Sequence, residues 1–133
     1  MADAPTDQPV RTMEARELVA EFEAAVNAAD PDRAAALAVE DVAVAGPQAA
    51  AGGGRALLRD WVGASGIQLH AEQVFQFGDK IIAEQTARVP VEDGGALGEP
   101  EETATLFTLR DGRITGVYRY GDLSAALMGA TKV

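Results

Sequence analysis

Two dipeptides constrain this chain more than anything else in it. Gly78-Asp79 separates an alternating run, "IQLHAEQVFQF" (67–77), from a second that starts at Lys80 and reaches about Val89. Glycine at the first turn position is the signal of a type II′ hairpin. Asp111-Gly112 separates a third run, Glu102 to Arg110, from a fourth, Arg113 to about Tyr120. That pair is a type I′ signal. Each two-residue turn ties its flanking strands into an antiparallel pair of fixed register. The second half of the chain is therefore a four-stranded meander, interrupted by the polar loop "PVEDGGALGEP" (90–100).

The first half has a helical period. Leu18, Val19, Phe22, Ala25, Val26 and Ala29 make one apolar stripe, with Thr12 as N-cap. At the break, Asp30 suits an N-cap, Pro31 the first helical position and Asp32 the first turn. The second helix is expected from Pro31 to about Val39, with Ala34, Leu37 and Ala38 inward. "DVAVA" (41–45) reads as a short strand and "GPQAAAGGGR" (46–55) as a flexible loop that lacks the ending of a phosphate-binding loop. A third helix follows, Ala56 to about Val62, with Gly63 and Gly66 at its exit.

Helices first and a meander afterwards make an α+β domain, its helices on one face of a twisted sheet. Residues 1–11 read as a loose arm, 12–128 as the domain and 129–133 as a tail. Leu123, Leu127 and Met128 offer a short helix over a pocket mouth, or a frayed end.

Composition narrows the partners. The 133 residues carry 21 acids against 11 bases, a net charge of −10, which makes nucleic acid and anionic membranes poor partners. The chain has no cysteine and one histidine, which argues against thiolate and multi-histidine metal sites; no metal or cofactor is expected. The polar, acidic start is not a signal peptide, no run spans a bilayer, and a cytoplasmic setting is expected.

Candidate site residues come from strand parity. Gln85 shares a face with Ile81, Ala83, Ala87 and Val89, so its amide needs partners, with Thr105 and Gln73 the nearest candidates. These three are the few polar points on an apolar inner wall, as ligand pockets have. Phe22, Trp61, Phe75 and Phe107 either line that wall or pack the core, and Tyr118 either donates to a ligand or finishes the sheet. His70 falls on the outer parity unless a bulge swaps the faces; it and Asp41 are the weak candidates for acid–base work. Val74, Leu106 and Val117 are expected as an outer apolar patch suited to a homodimer.

"FEAAVNAADPDRAAALAVEDVAVAGP" (22–47), "GRALLRDWV" (54–62), "GDKIIAEQTAR" (78–88) and "LFTLRDGRITGVYRYGDL" (106–123) together resemble, in order and spacing, the nuclear transport factor 2-like (NTF2-like) superfamily and its SnoaL-like members. The resemblance covers about 12–128. It implies a cone-shaped fold, three N-terminal helices on a curved antiparallel sheet, a central cavity and a homodimer through the sheet's outer face. It also implies a choice among isomerases, epoxide hydrolases, cyclases, dehydratases and non-enzymatic binders, which the fold does not make. The groups a ketosteroid isomerase would need fall on Gly46, Phe22 and Thr105, none of which can serve. Arg110-Asp111 is adjacent, so it is not the Arg-Xaa-Asp of a limonene-type hydrolase, and one histidine is too few for a scytalone-type dehydratase. The expected function is therefore binding of a small hydrophobic or mixed-polarity molecule in an apolar cavity. The alternatives are an enzyme of cyclase, isomerase or hydrolase type with relocated catalytic residues, and a homodimeric interaction module.

Overall fold

Each hairpin dipeptide sits at its turn. Gly78 has φ 61°, and Asp111 and Gly112 have φ 55° and 79°, the left-handed backbone that the two primed turns demand. They join β3 (Gln68–Phe77) to β4 (Lys80–Arg88) and β5 (Glu101–Arg110) to β6 (Arg113–Tyr120) in the computed structural model of the chain. The structure describes residues 14–46, 49–91 and 96–131, with only the backbone for 49–51. The N-terminal arm and Thr12 lie outside the described residues.

The first helix, α1, is Ala15–Asn27, and the Glu17 carboxylate accepts the Glu14 backbone N–H at 3.1 Å. At the Asp30 break the expected cap forms, with Arg33 N–H donating to Asp30 Oδ1 at 3.2 Å. The helix it starts, α2, is only Pro31–Ala35, shorter than the expected run to Val39. The sheet claims the next residues: the Leu37 carbonyl accepts from Ile114 N–H at 2.9 Å, and β1 spans Ala38–Gly46. The stretch read as a loop contains a further strand, β2 (Ala49–Gly53), paired back on β1, before α3 (Arg55–Ser65). Gly66 ends α3 in the left-handed conformation, φ 66°.

The result is a mixed α+β fold, its helices packed on a curved, unclosed sheet of six strands ordered β2-β1-β6-β5-β4-β3. The sheet is not wholly antiparallel as expected, because β1 runs parallel to β6. The face under α1–α3, here called inner, holds the main core: Phe22, Val26, Leu58, Ile81, Ala83, Phe107 and Val117 are all buried in it. On the outer face lies α4 (Leu123–Ala130), capped by Asp122 Oδ1 accepting Ala125 N–H at 2.8 Å. It packs on β4, β5 and β6 over Ile82, Ala104 and Leu106. The C-terminal segment is thus a helix, and it lies opposite α1–α3 rather than over them. No helix among the described residues is long and apolar enough to cross a membrane.

Two one-residue bulges decide which side chains face inward. In β3, Ala71 pairs with Gln85 and Gln73 with Glu84, so Glu72 is extra. In β6, Leu109 pairs with Ile114 and Thr108 with Gly116, so Thr115 is extra. Because side chains alternate, each bulge exchanges the faces of everything beyond it. Gln73 and Phe75 therefore join the outer face, Phe75 opposite Ile82, and Val74 turns inward. Tyr118 pairs with Leu106 on the outer face, while Val117 pairs with Phe107 inside. The outer patch expected from Val74, Leu106 and Val117 does not exist: two members point inward and α4 covers the third.

Candidate functional site

A line of polar side chains crosses the inner face from α1 to β6. Its first anchor is Asn27, at the end of α1. Asn27 Nδ2 donates to the Leu69 carbonyl at 2.9 Å and its Oδ1 accepts Leu69 N–H at 2.7 Å, a two-point clasp of helix to strand. One turn earlier on the same helix face is Glu23, which this clasp aims at the β3 bulge. There Glu23 Oε1 accepts Ala71 N–H at 3.2 Å, and Oε2 accepts Gln85 Nε2 at 2.7 Å. Gln85 Oε1 in turn accepts the Thr105 hydroxyl at 2.7 Å. Burial raises the Glu23 pKa above the ordinary carboxylate value; the hydrogen bonds from Gln85 and Ala71 and the nearby His70 pull the other way. A cleft of about 170 Å³ between α1 and the bulge reaches Glu23, with Arg16, Glu72 and Gln73 in its wall.

The other end of the line is Arg119, opposite Thr105 in the β5–β6 register. Its Nη2 donates to Thr103 Oγ1 at 3.2 Å, and the Thr103 hydroxyl donates onward to the Tyr120 carbonyl at 2.8 Å. The guanidinium carbon stands 5.8 Å from the centre of the Trp61 ring, within cation–π range. Arg119 Nε is buried and has no hydrogen-bond partner among the described residues. Burial lowers the Arg119 pKa. Gly46 passes close by: a β-carbon there would lie 3.3 Å from Arg119 Cβ.

Of the residues singled out from sequence, Phe22, Gln85, Thr105 and Phe107 come together on the inner face. The Phe22 and Phe107 rings meet edge to face, centroids 5.1 Å apart, as fully buried core members. Trp61 stands over Arg119. Gln73, Phe75 and Tyr118 are on the other side of the sheet, removed by the bulges. The bulge foreseen near His70 is present, but it lies beyond that residue, and His70 is exposed, as is Asp41. Glu23, Thr103 and Arg119 were missed. Glu23 had a signal, a carboxylate at a core position between Val19 and Val26; Arg119 shares its parity with Val117, which was expected on the outer face, so only the β6 bulge reveals it. No group of three or more His, Asp or Glu side chains that could hold a metal ion exists among the described residues.

Residues 19–117 match the SnoaL-like domain family, and the chain belongs to it. Curated proteins offer no match. Among solved structures, an NTF2-like protein of unknown function from Cytophaga hutchinsonii is similar at 19% identity, over 89% of this chain and 98% of its own, with a TM-score of 0.70. A putative polyketide cyclase from Xanthomonas campestris pv. campestris is 27% identical over 84% and 92%, with a TM-score of 0.66. An LEH-like epoxide hydrolase from M. tuberculosis is 23% identical over 91% and 92%, with a TM-score of 0.65. These likenesses support the NTF2-like fold.

Proposed function

We propose that this SnoaL-like chain binds a small molecule of mixed polarity on the inner face, between α1–α3 and the sheet. The supporting observation is the line Glu23–Gln85–Thr105 and Thr103–Arg119–Trp61, drawn across a wall that is otherwise apolar. Apolar walls with a few placed polar groups are how small-molecule sites are built. Native mass spectrometry of the purified protein, followed by extraction, tests the reading. It expects a defined non-covalent adduct that is lost on filling the face with Thr103→Phe; a chain that never carries one, across cell extracts rich in small molecules, contradicts it.

A second reading makes the site catalytic. Glu23 is a buried carboxylate with a raised pKa, the property a general acid or base needs. It offers the relocated group that cyclase-, isomerase- or hydrolase-type chemistry would require in place of Phe22, Gly46 and Thr105. The similar putative polyketide cyclase and epoxide hydrolase set the direction for substrates. A carbon-detected NMR titration of Glu23 that follows an ordinary exposed carboxylate would remove this reading.

The homodimer belongs to the same proposal, with its contact moved. Since α4 covers the centre of the outer face, the apolar surface left there is Phe77, Leu127 and Met128, all exposed. Light scattering that gives a dimer for the wild type and a monomer for the Phe77→Ser, Leu127→Ser double variant supports it; a wild-type monomer removes it.

A further inference from the structure

An arginine is always charged in a protein, and burying one without a carboxylate or a full set of acceptors is costly. Arg119 is half-buried, and its Nε is fully buried with no hydrogen-bond partner among the described residues. Its one hydrogen-bonding side-chain partner among the described residues, Thr103, is neutral and has already given its proton to the Tyr120 carbonyl. Thr103 therefore orients the guanidinium without neutralising it. Trp61 adds attraction and fixes the plane's neighbourhood, but supplies no acceptor for Nε. The carboxylate on the same face, Glu23, is engaged two side chains away by Gln85 and Ala71. No ion pair to Arg119 exists among the described residues. The side-on edge of a guanidinium, Nε with Nη2, is the edge that takes two oxygens of an acid in parallel. Here Nη2 spends one of its two protons on Thr103, and Nε spends none.

The chain also arranges for this charge to be inside. Without the extra residue at Thr115, the hairpin register would set Tyr118 opposite Thr105 and turn Arg119 outward. The bulge exchanges them. On a chain of net charge −10, an inward cation with no carboxylate partner among the described residues is a selective feature and no part of a general basic surface.

We propose that Arg119, held by Thr103 and Trp61, is the receptor for an anionic oxygen of the ligand, so that the small molecule bound here is an organic acid, a carboxylate or an ionised enol or phenol. This rests on the reading of the inner face as the ligand site, and it adds the charge of the ligand to that reading. The receptor also gives a general acid at Glu23 a substrate of fixed orientation.

Trp61 is the chain's one tryptophan, so its fluorescence reports this place alone. Iodide is the probe, because it tests for an anion receptor without assuming a ligand shape; neutral acrylamide is the control. Iodide should quench Trp61 with a saturable component despite the protein's negative charge. Arg119→Gln should abolish that component, Arg119→Lys should keep part of it, and acrylamide quenching should be alike in all three. Cyclohexanecarboxylate should relieve the iodide component at a concentration about tenfold below that of its neutral amide, the worth of one charge-assisted contact. Iodide quenching that is purely collisional and equal in wild type and Arg119→Gln overturns the receptor. A neutral extracted adduct in native mass spectrometry, bound equally by both proteins, overturns it too while leaving inner-face binding in place.

Discussion

The two ends of the polar line are built differently. At the α1 end, both Glu23 oxygens accept hydrogen bonds, and the Gln85 amide that serves one of them is itself held by Thr105. At the β6 end, among the described residues, Arg119 meets one neutral hydroxyl and one ring, and its Nε has no hydrogen-bond partner. Each end lies at a one-residue bulge, a device common beside active sites: Glu23 accepts the Ala71 N–H beside the β3 bulge, and the β6 bulge turns Arg119 inward. The difference teaches that buried polarity serves two purposes on one face. A closed network specifies how the helix docks on the sheet; an open one, on the proposed reading, is left for a molecule that is not part of the chain.

Mutations should split the two ends. Glu23→Ala strips acceptors from the Gln85 amide and the Ala71 N–H at once, and should cost about 3 kcal/mol in urea unfolding. Gln85→Leu leaves the Glu23 carboxylate and the Thr105 hydroxyl without their partner, and should cost about 2 kcal/mol by the same measurement. Asp122→Ala, which removes the α4 cap on the far side of the sheet, should cost about 1 kcal/mol and leave any inner-face adduct bound. Each would sharpen the contrast, because none of them touches Arg119.

The pH dependence follows from the direction of the Glu23 shift. A carboxyl whose folded pKa lies above its unfolded value binds more protons in the folded chain between the two. Its contribution is therefore fully present below the unfolded value, near 4.5, and is lost as the pH rises through the folded one. The stability of the wild type relative to Glu23→Gln should fall over that window, measured by urea unfolding at a series of pH values. A difference that is flat, or that grows with pH, would mean that the hydrogen bonds outweigh burial.

Much of the fold was legible because it rests on local chemistry. Asp30-Pro31, Gly78-Asp79 and Asp111-Gly112 each impose a backbone that few other residues accept, and all three features formed. The site was half legible. Gln85, Thr105 and Phe107 lie on strands β4 and β5, whose mutual pairing is unshifted, so parity read along the sequence held across them. Gln73, Phe75 and Tyr118 lie beyond bulges, where one extra residue reverses parity; nothing in "HAEQV" marks its extra residue, and in "RITGV" the one mark is Gly116, next to the extra Thr115. The C-terminal helix was one of the two readings that Leu123, Leu127 and Met128 allowed, but its place on the outer face, the strand in the glycine-rich stretch and the shortness of α2 depend on long-range pairing and packing that no local pattern encodes.

Arg119→Met, followed by urea unfolding against the wild type, tests the contrast between the two ends most directly. If Arg119 is held open for a ligand, its removal takes away a half-buried charge with no carboxylate partner among the described residues, and the variant should be as stable as the wild type or more so, by up to about 2 kcal/mol. A loss of stability of the size expected for Glu23→Ala would contradict the account, because it would make Arg119 a structural member of the core like the carboxylate at the other end.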